Sequence, residues 1–451
     1  MMENMSLSEI ARALDSNIAA DDLMVTGISI DSRTVKPNDL FVAIKGPNFD
    51  GHDFVSQAIL SGAAGAVISQ EVQTDSSTAA RLLPVSDTLR ALKELAYYHR
   101  KKFALKMIGI TGTNGKTTVK DMTAAVLSSK YRVLKNEGNL NNQYGIPLSL
   151  FNLSKDHQVG VMELGMSALG EITDLCRLVE PEMGIITNVG EGHTQYLKNI
   201  ETVGQAKGEL LEYLPGNGLA VVNRDDGNVM TQTKRTKAKV ITFGTGEGCN
   251  YRAEDISFDL DGSVFFLQGH SIRIKHLGLH NVYNALAALS IGDALGVEIR
   301  DAAERLAVLD PTPMRLEIVK TGEYTVINDA YNANPQSMRA ALKVLKSMPS
   351  AGRRVAVLGD MLELGDIAEL RHREIGALAA ESADLVIALG PLGNHIYRGA
   401  EALKMNSLYY PDNAALINEL GKVLKGGDLI LVKASRGRHF EEIVNAIKGL
   451  S

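Results

Sequence analysis

The octapeptide Thr111-Gly112-Thr113-Asn114-Gly115-Lys116-Thr117-Thr118 holds the residue types that bind a phosphate chain. Glycines let backbone N–H groups wrap an anion, and a helix beginning at the lysine adds partial positive charge. Lys116 would reach the β- and γ-phosphates and the Thr117 hydroxyl would ligate Mg²⁺. The general pattern wants glycine at position 110, where this chain has Ile110. Two further side chains sit where an open parallel sheet gathers its ligands, at the carboxyl ends of strands. Glu163 ends the apolar run Val159–Met162, and His193 follows the run Gly184–Asn188. Carboxylate and imidazole there could hold Mg²⁺ or its waters. A fourth candidate is out of place by polarity. In the helical stretch 200–214, Val203, Ala206, Leu210, Leu211 and Leu214 form an apolar stripe. Lys207 falls about 40° from Val203, inside that stripe. Burial lowers the pKa of an amine, and a neutral amine can add CO₂ to become a carbamate, an anion able to ligate a metal.

These residues need a scaffold that alternates strands with helices. The phosphate loop is preceded by the strand-like run Leu105–Ile110 and followed by Val119, Met122 and Val126 at helical spacing. Such alternation implies a parallel sheet. Ahead of it, Ser6-Leu7-Ser8-Glu9 reads as a capping box opening a helix, and Val25–Ile30, Leu40–Ile44 and Ala63–Ile68 read as strands. Behind it, Asp310-Pro311-Thr312-Pro313 reads as a linker, because prolines do not sit inside regular structure. Alternation then resumes at Tyr324–Ile327, Val355–Leu358, Leu385–Leu389 and Leu429–Val432. The chain is thus expected to be α/β with three domains: a small one over 1–103, a central phosphate-loop domain over 104–312, and a doubly wound, Rossmann-like one over 313–451.

A length of 451 residues accommodates three domains of usual size. Forty-seven basic against fifty-three acidic residues give −6, without the basic excess of a general nucleic-acid binder. Cys176 and Cys249 are the only cysteines, so no disulfide framework exists and a reducing compartment is expected. No signal peptide and no apolar run of membrane-spanning length are visible. A cytoplasmic protein with no membrane insertion follows as the expectation.

The phosphate loop in its particular form resembles that of the Mur ligases, ATP-dependent amide-forming enzymes of peptidoglycan precursor synthesis. Asp31-Ser32-Arg33, Gly138-Asn139-Leu140-Asn141-Asn142, Glu163-Leu164-Gly165 and Ala206-Lys207-Gly208-Glu209 are similar to family stretches, in the family's order. So are His280–Ala285, Asn328–Pro335, Gly359-Asp360-Met361 and Lys433-Ala434-Ser435-Arg436, so the resemblance spans nearly the whole chain. It implies an N-terminal domain binding a UDP-sugar, a central ATPase domain and a Rossmann-like C-terminal domain. Within the family the set most resembles the branch that joins D-alanyl-D-alanine to UDP-N-acetylmuramoyl-tripeptide. The third-residue-adding ligases and folylpolyglutamate synthase are the nearest alternatives.

By resemblance, residues 112–118 and Lys116 above all bind ATP, and Thr117 and Glu163 ligate one Mg²⁺. His193 and a carbamylated Lys207 hold a second. Lys116, Glu163, His193 and Lys207 together form the catalytic set. Asn281 and Asn284 match adenine-contacting positions, while Arg315 and Asp329 match residues that reach the γ-phosphate and the ribose. Asp31, Ser32 and Arg33 match part of a uridine diphosphate site. Asn139, Asn142, Tyr331, Asn332, Asn334, Lys433, Ser435 and Arg436 are expected along the peptide and dipeptide. The partners implied are those two substrates, with no nucleic acid, and the chain is expected to be a monomer.

Overall fold

The computed structural model describes residues 2–16, 23–192, 194–403 and 406–450. Three parallel or mostly parallel sheets follow one another along the chain. The first contains β1 (Gly27–Ser29), β2 (Asp39–Val42), β3 (Gly65–Ile68) and β4 (Leu82–Pro84), paired in that order and all parallel. Helix α1 (Thr88–Arg100) follows it. Asp87 caps α1 by accepting from the amides of Leu89 and Arg90, which satisfies two of the donors a helix start leaves free.

The second sheet is seven-stranded and wholly parallel. Its strands are β5 (Lys106–Thr111), β6 (Val133–Lys135), β7 (Val159–Glu163), β8 (Met183–Ile186), β9 (Leu219–Asn223), β10 (Lys239–Gly244) and β11 (Tyr251–Arg252). Their spatial order is β11-β10-β9-β8-β5-β7-β6. Chain order reverses beside β5, with β7 on one side and β8 on the other. A crevice at the carboxyl ends of strands is expected at such a switch point, and the phosphate loop leaves β5 there. The strands are buried on both faces: Ile108, Ile110 and Val161 face one apolar cluster, Met107 and Met162 the other. This explains why they read as continuous apolar runs. Helices α2 (Lys116–Leu127), α3 (Ile200–Tyr213) and α4 (Leu279–Ala294) supply most of the cover near the loop.

An antiparallel sheet of β12 (Glu254–Asp259), β13 (Gly262–Leu267) and β14 (His270–Ile274) is inserted before α4. No strand was expected from the sequence there. Nearly every residue of β12 faces solvent, so it carries no alternation of polar and apolar residues to read.

The third sheet runs β15 (Glu317–Thr321), β16 (Tyr324–Asn328), β20 (Leu429–Lys433), β17 (Arg354–Leu358), β18 (Leu385–Leu389) and β19 (Ser407–Tyr410) in space. Only the β15–β16 pairing is antiparallel. Helices α5 (Pro335–Ser347) and α6 (Ala368–Ala380) pack against each other on this domain. No described helix is long and apolar enough to cross a membrane.

Candidate active site

The phosphate loop is shaped by two glycines. Gly112 and Gly115 adopt φ of 151° and 81°, the second as N-cap of α2, conformations that strain any residue with a Cβ. Space closes the same positions: a Cβ on Gly112 would strike the Thr187 hydroxyl, and one on Gly115 would lie 2.5 Å from Asn284 Oδ1. The residues after β8 hold the loop from its other side. Asn114 N donates to Asn188 Oδ1 at 2.9 Å, and Asn114 O accepts from Thr187 Oγ1 at 2.6 Å. Lys116 folds its ammonium back onto the carbonyls of Gly112 and Thr113, at 2.9 and 3.2 Å. Burial lowers its pKa; Glu163 opposes that shift and Arg315 adds to it.

Glu163 is 2% exposed at the end of β7. Thr117 Oγ1 donates to its Oε2 at 2.7 Å and Asn141 Nδ2 to its Oε1 at 2.7 Å. Its backbone is clasped by Asn136, whose Oδ1 accepts from Glu163 N at 2.8 Å. Asn136 in turn gives its own carbonyl to Lys120, a fully buried lysine on α2, at 2.7 Å. Asn136 and Lys120 escaped the sequence reading. Neither lies in a recognisable pattern, and their roles depend on a turn that packs against α2. A cleft of about 380 Å³ opens on Lys116 and is lined by Lys93 of α1, Asn141, Asn142 and Glu171. It runs from the first domain to the phosphate loop. Asn142 also turns its oxygen to the amides of Tyr144 and Gly145, and Asn139 is exposed.

Lys207 occupies the buried face of α3, 2% exposed. Among the described residues no carboxylate stands within ion-pair distance of it. Burial, reinforced by the charge of Lys116, pushes its pKa well below the ordinary lysine value. His193 lies outside the described residues. Asn281 and Asn284 are buried on α4, and Asn284 Nδ2 donates to Asn281 Oδ1 at 2.8 Å. Asn281 Nδ2 also donates to the Leu277 carbonyl, at 2.8 Å. This turns the asparagine pair toward Gly115.

The third domain reaches the same place. Arg315 Nη2 donates to Thr117 Oγ1 at 3.1 Å, while the guanidinium lies 4.1 Å from the centre of the Tyr331 ring. Asp329 pairs with Lys433 at 2.6 Å, and Lys433 Nζ also donates to Asn332 O at 2.8 Å. Burial raises the Asp329 carboxyl pKa, with Lys433 and Arg315 pulling against it. Asn334 and Gln336 touch Asn114 directly. Ser435 Oγ accepts from Leu362 N at 2.9 Å and donates to Ala333 O at 3.3 Å; Arg436 is half-exposed beside Glu441. Asp31, Ser32 and Arg33 lie apart, on a turn after β1 in the first domain. There the Arg33 guanidinium holds the Asp31 carboxyl at about 2.

Phosphate loop, strand-end carboxylate and an arginine from the segment leading into the third sheet define a three-part nucleotide enzyme, and comparison with known proteins gives its class. Residues 24–100 match the description "Mur ligase family, catalytic domain", 110–292 "Mur ligase middle domain", and 314–436 "Mur ligase, glutamate ligase domain". The chain belongs to the Mur ligase family. It is 39% identical over 449 residues to the UDP-N-acetylmuramoyl-tripeptide–D-alanyl-D-alanine ligase of Bacillus subtilis, covering 97% of this chain and 96% of that protein. A crystal structure of MurF from Acinetobacter baumannii is similar with a TM-score of 0.91 at 30% identity, covering 99% of both chains. MurF from Thermotoga maritima, solved in complex with ADP, has a TM-score of 0.84 at 27% identity, over 95% of this chain and 98% of that one.

Proposed function

We propose that this chain joins D-alanyl-D-alanine to UDP-N-acetylmuramoyl-tripeptide with cleavage of ATP to ADP and phosphate, as a cytoplasmic monomer. The observation that carries the reading is the convergence on Thr117. Its hydroxyl sits between the Glu163 carboxylate and the Arg315 guanidinium, so groups from two domains meet where a γ-phosphate would lie. Full-length similarity to ligases of this name supports the choice of substrates.

The domains divide the work as 1–103 for the UDP-sugar, 104–312 for ATP and 313–451 for the incoming amine. Residues 112–118 cradle the phosphates, with Lys116 on the β- and γ-oxygens. Asn281 and Asn284 meet the adenine, Asp329 the ribose and Arg315 the γ-phosphate. Asp31, Ser32 and Arg33 meet the uridine diphosphate. Asn139, Asn142, Tyr331, Asn332, Asn334, Lys433, Ser435 and Arg436 line the path of peptide and dipeptide.

The donor set fits Mg²⁺. Thr117 and Glu163 offer hard oxygens 2.7 Å apart. Among the described residues no group of three acidic, histidine or cysteine side chains could hold an ion alone. That suits an ion bound by one carboxylate together with substrate phosphates. When bound, Mg²⁺ supplies charge neutralisation to the transferring phosphoryl group. A second ion would be held by His193 and Lys207, whose buried amine, without a counter-ion among the described residues, is suited to take up CO₂ as a carbamate.

The tripeptide's terminal carboxylate attacks the γ-phosphorus in line, giving an acyl phosphate and ADP. The dipeptide amine then attacks the acyl carbon, and phosphate leaves from the tetrahedral intermediate. Two anions meet in the first step, so Lys116 and Arg315 act by offsetting charge as it develops. The C-terminal domain, by covering the loop, excludes water from the acyl phosphate.

The deciding experiment is phosphate release from MgATP with UDP-N-acetylmuramoyl-tripeptide, with and without D-alanyl-D-alanine. Release that needs both partners, with a pentapeptide product by mass, is the expected outcome. Release indifferent to the dipeptide would overturn the assignment.

A further inference from the structure

Asn114 and Asn334 are 220 residues apart in sequence and face each other across the domain boundary. Asn334 Nδ2 donates to Asn114 Oδ1 at 2.8 Å. In return Asn114 Nδ2 donates to Asn334 Oδ1 at 3.3 Å and to Gln336 Oε1 at 3.0 Å. Each end is fixed by its own domain. Asn114 is held through its main chain by Thr187 and Asn188. Asn334 is the N-cap of α5, its Oδ1 accepting from Ser337 N at 2.9 Å while Ser337 Oγ accepts from Asn334 N at 3.0 Å. That reciprocal capping box fixes the side chain's orientation and leaves the Nδ2 donor aimed out of the helix at the phosphate loop. With both ends set, the pair can form only at one separation of the two domains. The approach is close: a Cβ on Gly190 would strike Gln336 Oε1. The same separation brings Arg315 to Thr117.

We infer that Asn114 and Asn334, with Gln336 as a second acceptor, form an amide latch that holds the C-terminal domain closed on the phosphate loop and so sets Arg315 against Thr117. They are positioning residues: the loop asparagine reports the presence of the third domain to the segment that holds the phosphates. Two reciprocal amide bonds formed only on closure are enough to shift a closure equilibrium about tenfold.

The cap gives a clean separating variant. Serine caps a helix as well as asparagine does but has no amide N–H₂ to reach Asn114. Asn334→Ser is therefore expected to keep the melting temperature within about 2 °C while kcat for pentapeptide formation falls about tenfold. Asn114→Ala should lower kcat by a similar factor, and the double variant no further. Affinity for a non-hydrolysable ATP analogue should stay within about threefold in Asn334→Ser. Small-angle scattering with that analogue should find the wild type more compact than either variant.

A drop of more than tenfold in analogue affinity for Asn334→Ser would make Asn334 part of the nucleotide site and overturn the latch. So would an unchanged kcat in Asn334→Ser. The kinetic arm rests on the ligase reading and the scattering arm does not. If the wild type forms no pentapeptide, that reading fails by itself, and equal compactness of wild type and variants would then be the result that sinks the latch.

Discussion

Two lysines, each 2% exposed, sit in opposite electrostatic settings. Lys433 in the C-terminal domain ends β20 against Asp329 at 2.6 Å and gives another bond to a carbonyl. Lys207 in the central domain sits under the phosphate loop with no described carboxylate in ion-pair reach and Lys116 as its electrostatic neighbour. Desolvation opposes charge in both places. At Lys433 a buried anion offsets it, so the residue fixes the shape of the cleft around Asp329. At Lys207 no described residue does, so burial drives the amine toward the neutral form. Burial is thus the same at both lysines, and what sets the two amines apart is the ion-pair partner that Lys433 has and that no described residue gives Lys207.

Removing each lysine should separate the two roles, and the largest effect belongs to Lys207. Lys207→Ala is expected to cost roughly 10³-fold in kcat, the order seen when a preorganised charge-stabilising group is lost, with partial rescue by short carboxylates such as acetate or propionate. Full activity in that variant would remove the residue from the site. Stability should move the other way. Lys433→Met leaves the Asp329 carboxylate buried without its counter-charge, a change that costs about 3–5 kcal/mol at fully buried pairs. Asp329 keeps some solvent contact and Arg315 nearby, so about 2–3 kcal/mol is expected here. That is a melting transition lowered by roughly 5–10 °C. Lys207→Met should leave the melting temperature unchanged or raise it, since it removes an amine that burial already disfavours. Equal losses in both variants would erase the contrast.

A third buried base extends the comparison to pH. His276 is 4% exposed, its Nδ1 has no hydrogen-bond partner among the described residues, and burial with His280 nearby lowers its pKa to about 4. Above pH 6.5 it is neutral folded or unfolded, so it contributes no pH dependence there. Between 6.5 and 4 the unfolded chain binds a proton that the folded chain refuses, and stability falls as pH falls. His276→Gln should flatten the decline of unfolding free energy over that window by an amount on the order of 3 kcal/mol. A slope identical to wild type would mean that His276 is not held neutral.

The smallest effect is expected at the rim of the domain boundary. Arg371 of α6 pairs with Glu191 at 2.5 Å, with both side chains about a quarter exposed. Solvent and salt screen such a pair. Arg371→Ala should change kcat and KM by less than about threefold, and the difference should vanish at high ionic strength.

How much of the site could be read beforehand followed the range of the interactions. The phosphate loop is local: an apolar strand, glycines and a helix start within a dozen residues, and β5, loop and α2 lie where that pattern put them. The helical period alone placed Lys207 on an apolar face, which α3 over Ile200–Tyr213 buries, whereas its place in the candidate site came from the family resemblance. Glu163 was legible as a residue ending an apolar run. Its neighbours Asn136 and Lys120 were not, because a hydrogen bond between a turn and a helix leaves no periodic trace. Among the quoted stretches, Asn334 and Lys433 were expected to line a substrate path. The structure adds that Asn334 reaches Asn114 and that Lys433 pairs with Asp329.

The sequence by itself determined the three-part α/β organisation, the phosphate loop, the misplaced lysine and the family, since each rests on short-range spacing or on ordered motifs. Tertiary structure alone decided which lysine keeps a counter-ion, which asparagines meet across the domain boundary, and that Arg315 closes on Thr117. Those outcomes depend on bringing residues far apart in the chain to about 3 Å of one another. Charge and hydrogen bonding act over that distance in space, and no spacing along the chain encodes it.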